Sequence, residues 1–176
     1  LLGALKRAQA IAASAFDESG VYLERWITHP RHIEFQILGD GQGNAIHMYE
    51  RECSVQRRNQ KLIEESPAPG LDSTLIAQYA DLAANVCAKL GYDNVGTLET
   101  LFAQNTDVGF LEMNTRLQVE HPVTELVTGT DLVRAQVRVA EGHPLPWTQS
   151  DLTSQGHAIE CRVYAEDPAS GFMPSL

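Results

Sequence analysis

The chain has few cysteines, no long apolar run and fewer basic than acidic residues, and each shortage argues against a class of protein. Its three cysteines, Cys53, Cys87 and Cys161, are far apart and never in a C-x-x-C spacing, so neither a disulfide framework nor a zinc site is indicated. No apolar stretch approaches the ~20 residues of a membrane helix. The 13 basic and 23 acidic residues give a net charge of -10, which argues against a sequence-independent grip on nucleic acid.

Periodicity predicts an α+β domain on a largely antiparallel sheet. Helical spacing of apolar residues predicts helices over 4–16, about 73–90 and 131–141, and alternation predicts strands over 21–27, 31–38, 45–50, 96–102, 108–114 and 157–165. In the 31–38 strand, Ile33, Phe35 and Ile37 alternate with polar residues, which predicts one core face and one face open to chemistry. The glycine-rich segment 39–44 lies between two strands, so we interpret it as a hairpin turn, whereas a phosphate loop leads into a helix.

Two glutamates, Glu99 and Glu112, are equidistant from a turn centred between Asn105 and Thr106. In an antiparallel pair, directly opposed residues have Cβ atoms about 5 Å apart on one face. Two like charges there belong to a solvated face, sit in a register shifted by one residue, or hold a divalent cation such as Mg²⁺ or Mn²⁺. Asn114, on the same face as Glu112, could supply a third oxygen.

The loop after these carboxylates carries Arg116, whose guanidinium suits a planar, bidentate oxyanion. Glu120 could then serve as a base, with His121 supporting the loop. The alternative is a surface loop in which Arg116 pairs with Glu120 and contributes little to stability.

A second cationic cluster, Arg57, Arg58 and Lys61, plausibly receives phosphate or bicarbonate in so acidic a chain. The alternative is that these side chains pair with the neighbouring Glu64 and Glu65.

Three segments together resemble biotin carboxylase: ERECSVQRRNQK at 50–61, EMNTRLQVEHPVTE at 112–125 and ECRVYAED at 160–167. The resemblance runs over essentially the whole chain and is greatest to the biotin carboxylase subunit of acetyl- or propionyl-CoA carboxylases. It implies an ATP-grasp fold, with a mostly antiparallel sheet flanked by helices. It also implies that 1–155 is the C-terminal part of the ATP-grasp domain and that 156–176 starts the C-terminal domain.

The resemblance also assigns site residues. Glu99, Glu112 and Asn114 would hold Mg²⁺ or Mn²⁺ against the ATP phosphates, and the two glutamates would thereby belong to the ATP site as well. Nucleotide contacts would come from Glu24, Arg25, Ile27, His32, Gln56 and Asn59. The bicarbonate site would be formed by Lys61, Arg116 and the backbone of Val119. Glu120 would deprotonate bicarbonate, and Arg162 would stabilise the biotin enolate.

The implied reaction joins ATP and bicarbonate into carboxyphosphate, which breaks down to CO₂ and phosphate and carboxylates biotin on its carrier protein. The implied partners are a biotin carboxyl carrier domain, a carboxyltransferase and a second copy of the full-length protein, in the cytoplasm or a mitochondrial matrix. The final carboxyl acceptor is chosen by the carboxyltransferase. Two alternatives stay open: a bicarbonate-activating ligase of the carbamoyl phosphate synthetase type, and a non-catalytic ATP-grasp-like interaction domain.

The chain departs from the family pattern at two positions and in extent. Asn59 stands where many members have histidine, and Thr100 stands where an aromatic residue is expected. The family's N-terminal domain, its glycine-rich lid and two ATP-binding lysines are expected before Leu1, and the rest of the C-terminal domain after Leu176. We therefore expect this chain alone to be inactive.

Overall fold

A six-stranded antiparallel sheet organises the chain in the computed structural model, which describes residues 1–103 and 107–175. The strands are β1 (Arg31–Asp40), β2 (Ala45–Arg57), β3 (Gln60–Ser66), β4 (Asp93–Phe102), β5 (Val108–Asn114), β6 (Ala158–Cys161), β7 (Glu166–Asp167) and β8 (Met173–Pro174). The helices are α1 (Leu2–Phe16), α2 (Ser73–Lys89), α3 (His121–Thr128) and α4 (Leu132–Ala140). The large sheet has the order β5-β4-β1-β2-β3-β6, and β7 pairs with β8. None of the described helices is both long and apolar enough to cross a lipid bilayer.

The apolar face of the sheet is covered by α2. Ile33, Phe35 and Ile37 of β1 are fully buried against the small residues Ala80 and Ala83 and their helical neighbours. The helix begins where the sequence predicts, because the Asp72 carboxylate accepts a hydrogen bond of 2.9 Å from the backbone N–H of Leu75 and so satisfies one free donor of the first turn.

The opposite face of the sheet divides into an apolar end and a polar middle. Leu38, Met48 and Val95 form a second core with Leu132 and Ala135 of α4. The middle is buried as well, since Glu34 and Gln36 of β1 have no exposed surface. The prediction that this face is open to chemistry is therefore wrong for its centre. Alternation identifies two faces, but it does not distinguish water from a polar network as the covering layer.

The three predicted helices and the four strands that lie in the regular hairpins are confirmed, with β2 continuing to Arg57. The strand predicted over 21–27 is wrong: that segment pairs with no described strand, and Tyr22, Leu23 and Trp26 are exposed. A strand needs a neighbour as well as propensity. In the 157–165 segment only Ala158–Cys161 joins the large sheet. β3 and α3 were not predicted, because their sequences are polar or short.

Two tight turns join β1 to β2 and β2 to β3, and each forms a hairpin. The 39–44 hairpin joins β1 to β2, as predicted, and the Asp40 side chain binds the backbone N–H of Gln42 and Asn44. The β2–β3 hairpin closes through Arg58 and Asn59, whose φ angles are 51° and 64°. Two consecutive left-handed residues are typical of a type I′ turn, in which asparagine is favoured. The geometry of this turn therefore explains why asparagine suits position 59.

Candidate active site

One cavity of about 780 Å³ contains every residue that the resemblance assigned to the site. Its lining includes Glu24, Arg25, Ile27, His32, Gln56, Asn59, Lys61, Glu99, Glu112, Asn114, Arg116, Val119, Glu120 and Arg162. These side chains come from the segment before β1, the central strands, the β2–β3 hairpin, the loop before α3 and the end of β6. The sheet therefore gathers residues that are up to 138 positions apart in sequence, counted from Glu24 to Arg162.

The carboxylate pair of the site has the predicted register. Glu99 of β4 lies directly opposite Glu112 of β5, and a bulge follows between Glu99 and Thr100. The turn centre at Asn105 and Thr106, and with it most of the turn segment, lies outside the described residues. The amide nitrogen of Asn114 contacts an oxygen of Glu99 at 2.9 Å and of Glu112 at 3.3 Å. The two carboxylates offer oxygens of the kind that a hard divalent cation binds. The Asn114 amide points its nitrogen at them and its oxygen at Arg116, 3.4 Å away, so the amide would have to turn over to serve as a third oxygen ligand.

Lys61 joins Glu99, one of the two candidate metal ligands, to Glu120, the candidate base. Its ammonium contacts Glu34 at 2.5 Å, Glu99 at 2.8 Å and Glu120 at 2.6 Å. Burial alone would lower the pKa of Lys61, but the neighbouring carboxylates outweigh burial and raise it. Burial alone would raise the pKa of Glu99, but the neighbouring His32 and Lys61 lower it to about 2. The raised pKa of Lys61 and the lowered pKa of Glu99 favour the charged form of both groups.

His32 is the second cationic partner of these carboxylates. Its Nε2 lies 3.0 Å from Glu99 and 3.6 Å from Glu34. Burial opposes protonation, but the two carboxylates outweigh burial and raise the pKa of His32 to about 9. The other ring nitrogen, Nδ1, is 3.3 Å from the amide nitrogen of Gln56, which also lines the cavity.

Glu120 pairs with two cationic side chains, neither of which is Arg116. One oxygen of Glu120 accepts from Lys61, and the other accepts from Arg162 at 2.7 Å. Arg116 is exposed and contacts the Asn114 side chain and a backbone carbonyl, and no carboxylate among the described residues lies within salt-bridge distance of it. The alternative of an Arg116–Glu120 ion pair is therefore wrong, and the Arg116 guanidinium faces the cavity available for an anion.

The cationic cluster predicted at 57–61 is divided by the strand geometry. Gln56 pairs with Lys61 and Arg57 with Gln60 across the hairpin, so Arg57 points away from the face that carries Lys61. Arg57 forms an ion pair with Glu166 and stacks over Phe172. Only Lys61 of the cluster lines the cavity.

The alternative pairing with Glu64 and Glu65 is wrong too. Glu64 is buried and lies 2.5 Å from the Arg162 guanidinium, and Glu65 contacts His157 at 2.9 Å. Arg162 therefore bridges Glu64 and Glu120 at the cavity wall.

Sequence reasoning missed the buried polar residues behind the cavity. Arg51 and Glu34 are fully buried, and Gln118 is nearly so. Arg51 and Gln118 lie in the family motifs without a predicted role, and Glu34 is one of the polar residues that alternate in the 31–38 strand. One signal was available: a charged residue in an alternating strand is rarely buried without partners. Two such charges in adjacent strands, Glu34 and Arg51, indicate a mutual ion pair, which the structure forms at 2.7 Å.

Sequence comparison places this geometry in a known family. The profile described as carbamoyl-phosphate synthase L chain, ATP binding domain, matches residues 1–148. The chain is 51% identical over 175 residues to a pyruvate carboxylase subunit from Methanothermobacter thermautotrophicus and to the biotin carboxylase of Allochromatium vinosum. Each match covers 99% of this chain but only 35% and 38% of the respective relative. The chain thus spans little more than a third of these relatives.

Solved structures agree. The biotin carboxylase of Campylobacter jejuni, in a complex described as β-γ-ATP, has a TM-score of 0.91 and 47% identity, over 98% of this chain and 38% of that one. The biotin carboxylase domain dimer of Hydrogenobacter thermophilus 2-oxoglutarate carboxylase, in complex with MgADP, ADP and bicarbonate, has a TM-score of 0.91, 45% identity and the same coverage. The chain therefore belongs to the carbamoyl-phosphate synthase L chain ATP-binding domain family, has an ATP-grasp fold, and is homologous to biotin carboxylases.

Proposed function

We propose that this chain carries the metal, phosphate and bicarbonate part of a biotin carboxylase catalytic centre. The observation that supports the proposal most is the convergence of Glu99 and Glu112 with Arg116 and Glu120 in one cavity. The activity is that of the whole protein, because the chain spans only 35–38% of its relatives. Within it, we assign 1–155 to the ATP-grasp domain and 156–176 to the start of the next domain.

The first step is the activation of bicarbonate by ATP. The exposed Arg116 guanidinium and the Lys61 ammonium bind the anion, together with the backbone N–H of Val119. Glu120 removes the bicarbonate proton, and the resulting oxyanion forms a bond to the γ-phosphorus of ATP as the bond to ADP breaks. The product is carboxyphosphate. The pairing of Glu120 with Lys61 keeps the base and the anion site within one contact of each other.

The nucleotide and the metal occupy the other side of the cavity. Glu99, Glu112 and Asn114 would hold Mg²⁺ or Mn²⁺, which offsets charge on the phosphates when bound. The segment 24–27 lines the cavity beside His32, Gln56 and Asn59, and we assign these residues to nucleotide binding.

In the second step, carboxyphosphate gives CO₂ and phosphate, and CO₂ carboxylates carrier-bound biotin. Arg162 lies at the cavity wall, 2.7 Å from Glu120, where a guanidinium can stabilise the biotin enolate. We further propose a biotin carboxyl carrier domain, a carboxyltransferase and a second copy as partners. The Hydrogenobacter domain, which is a dimer, supports the last. The proposed compartment is the cytoplasm or a mitochondrial matrix.

Biotin-stimulated ATP cleavage by the intact protein tests this function. We expect bicarbonate-dependent release of phosphate that free biotin accelerates, and a loss of about 10²–10⁴-fold in Glu120→Gln. The matched control is Glu141→Gln, an exposed glutamate of the α4 C-terminus outside the cavity.

The family description favours one second candidate, a bicarbonate-activating ligase of the carbamoyl phosphate synthetase type. Stimulation of ATP cleavage by ammonia, and not by biotin, would support that candidate and refute the first. A protein that cleaves no ATP under either condition but keeps its fold would be an interaction domain instead.

A further inference from the structure

Arg51 is a fully buried arginine at the centre of the polar layer, and every N–H of its guanidinium has an acceptor. Nε donates to Glu34 at 2.7 Å, one terminal nitrogen to Gln36 at 2.6 Å and Thr124 at 2.9 Å, and the other to Gln118 at 3.0 Å and Thr97 at 3.2 Å. A guanidinium has five N–H groups, so this set is complete. The cavity lining that the described residues form does not include Arg51. Its effect on the site is therefore indirect.

The first connection runs through Glu34 to Lys61. One oxygen of Glu34 accepts from Arg51, and the other accepts from the Lys61 ammonium at 2.5 Å. Burial would raise the pKa of Glu34, but the neighbouring Arg51, His32 and Lys61 outweigh burial and lower it. Arg51 thus holds Glu34 in the orientation that places its second oxygen against Lys61.

The second connection runs through Gln118 to Glu99. The amide oxygen of Gln118 accepts from Arg51, which leaves the amide nitrogen to donate to Glu99 at 2.9 Å. Because a guanidinium only donates, the contact with Arg51 fixes which end of the amide faces Glu99. A third contact, to Thr124, reaches α3, the helix whose N-terminal cap is Glu120.

We propose that Arg51 is a positioning residue for the active site. It orients the Lys61 ammonium through Glu34. It orients the Glu99 carboxylate through Gln118. The inference rests on the proposed function and names a residue that touches neither metal nor substrate. Lysine cannot replace Arg51, because an ammonium is a compact charge with three donors and cannot form the five-way planar fork. A purely structural arginine would change stability alone.

Arg51→Lys in the intact protein tests the proposal, with Arg31→Lys as the matched control. Arg31 forms an ion pair through two nitrogens with Glu52, is partly buried, and lies on the same strand pair outside the cavity. In Arg51→Lys we expect the KM for bicarbonate and the Mg²⁺ concentration for half-activation to rise about 10–100-fold, as for other residues that orient metal ligands. In Arg31→Lys both should stay within about twofold of the parent, whatever the change in unfolding temperature.

A binding measurement separates positioning from turnover. By calorimetry, Mg²⁺ should strengthen ADP binding less in Arg51→Lys than in the parent, while the affinity for ADP without Mg²⁺ stays within about twofold. If Arg51→Lys does not fold, Thr124→Val and Thr97→Val each remove one acceptor from Arg51 without changing its charge, and both should raise the same two constants by a smaller factor. Folded Arg51→Lys with parental constants, or both valine variants with parental constants, would overturn the proposal. A parent without biotin-stimulated ATP cleavage would instead refute the proposed function.

Discussion

The ammonium of Lys61 donates a 2.6 Å hydrogen bond to Glu120, so the proposed anion-binding cation and the proposed base are in direct contact. The same ammonium contacts Glu34 and Glu99, which makes Lys61 the common partner of three carboxylates. An anion that enters the cavity therefore meets one cation that already neutralises carboxylates and a second, Arg116, that pairs with none in the described part of the chain.

Lys61→Met should destabilise the protein as well as abolish bicarbonate-dependent ATP cleavage. Removing the ammonium leaves Glu34, Glu99 and Glu120 close together with less positive charge, and breaking a buried ion pair typically costs about 3–5 kcal/mol. Chemical unfolding measures the first effect and phosphate release the second. Lys89→Met, on an exposed lysine in the last turn of α2, is the control. Unchanged stability in Lys61→Met would contradict the contact network.

The two glutamates that we propose as metal ligands should respond differently to substitution by glutamine. Glu112 is exposed and Glu99 is 5% exposed. Glu112→Gln should raise the Mg²⁺ concentration for half-activation about 10–100-fold and leave the unfolding free energy within about 0.5 kcal/mol. Glu99→Gln should have the same effect on Mg²⁺ and also lower the unfolding free energy by about 1–3 kcal/mol, because charged hydrogen bonds to it are lost.

Titration of ATP cleavage with Mg²⁺ and denaturant unfolding measure the two quantities. Glu141→Gln should leave both unchanged. If Glu112→Gln needs no more Mg²⁺ than the parent, the assignment of Glu112 as a ligand is wrong.

The pairing of Glu99 with Glu112 could be predicted from sequence, whereas the polar layer behind them could not. A turn centred between positions 105 and 106 predicts that Glu99 lies opposite Glu112, and two opposed like charges are unfavourable unless something offsets their repulsion. The pairs nearer the turn are centred on position 105 instead, and Glu99 meets Glu112 because the bulge adds one residue to β5. The prediction is therefore right at the pair even though the spacing is irregular along the rest of the hairpin.

Arg51 shows what sequence periodicity lacks. Its partner Thr124 is 73 residues further along the chain, in a helix whose sequence is too short to stand out. Burial of the polar face of β1 depends on that helix and on Lys61, and neither is a local property of residues 31–40. The strand prediction for 21–27 is wrong for a related reason. The segment has β propensity, but no described strand lies beside it.

Stability should fall at acid pH through His47, outside the site. Burial lowers the pKa of His47, and the weaker opposing effect of Asp81, 3.3 Å away, does not restore it. Because the folded pKa lies below the ordinary 6.5, the unfolded chain binds the proton first as pH falls. The contribution of His47 is full above 6.5 and is lost as pH falls through the folded pKa, at no more than about 1.4 kcal/mol per pH unit.

The difference in unfolding free energy between the parent and His47→Gln, measured without divalent cations between about pH 5 and about pH 8, isolates this group. The parent should lose stability relative to His47→Gln as pH falls. His143→Gln is the control, because it removes an imidazole that is exposed. A difference that does not depend on pH would exclude His47 as the titrating group.

The packing of Tyr92 against two glycines predicts a pair of substitutions with opposite behaviour. A Cβ at Gly96 would overlap the Tyr92 hydroxyl and stand 2.7 Å from the Met113 methyl, whereas a Cβ at Gly39 would overlap the Tyr92 backbone carbonyl. Each alanine should cost at least about 1–3 kcal/mol through overpacking. Tyr92→Leu removes the hydroxyl but not the carbonyl. It should therefore reduce the cost of Gly96→Ala and leave that of Gly39→Ala unchanged, which a double-mutant cycle from chemical unfolding measures. Equal coupling at both glycines would show that the clashes are relieved by movement of the backbone instead.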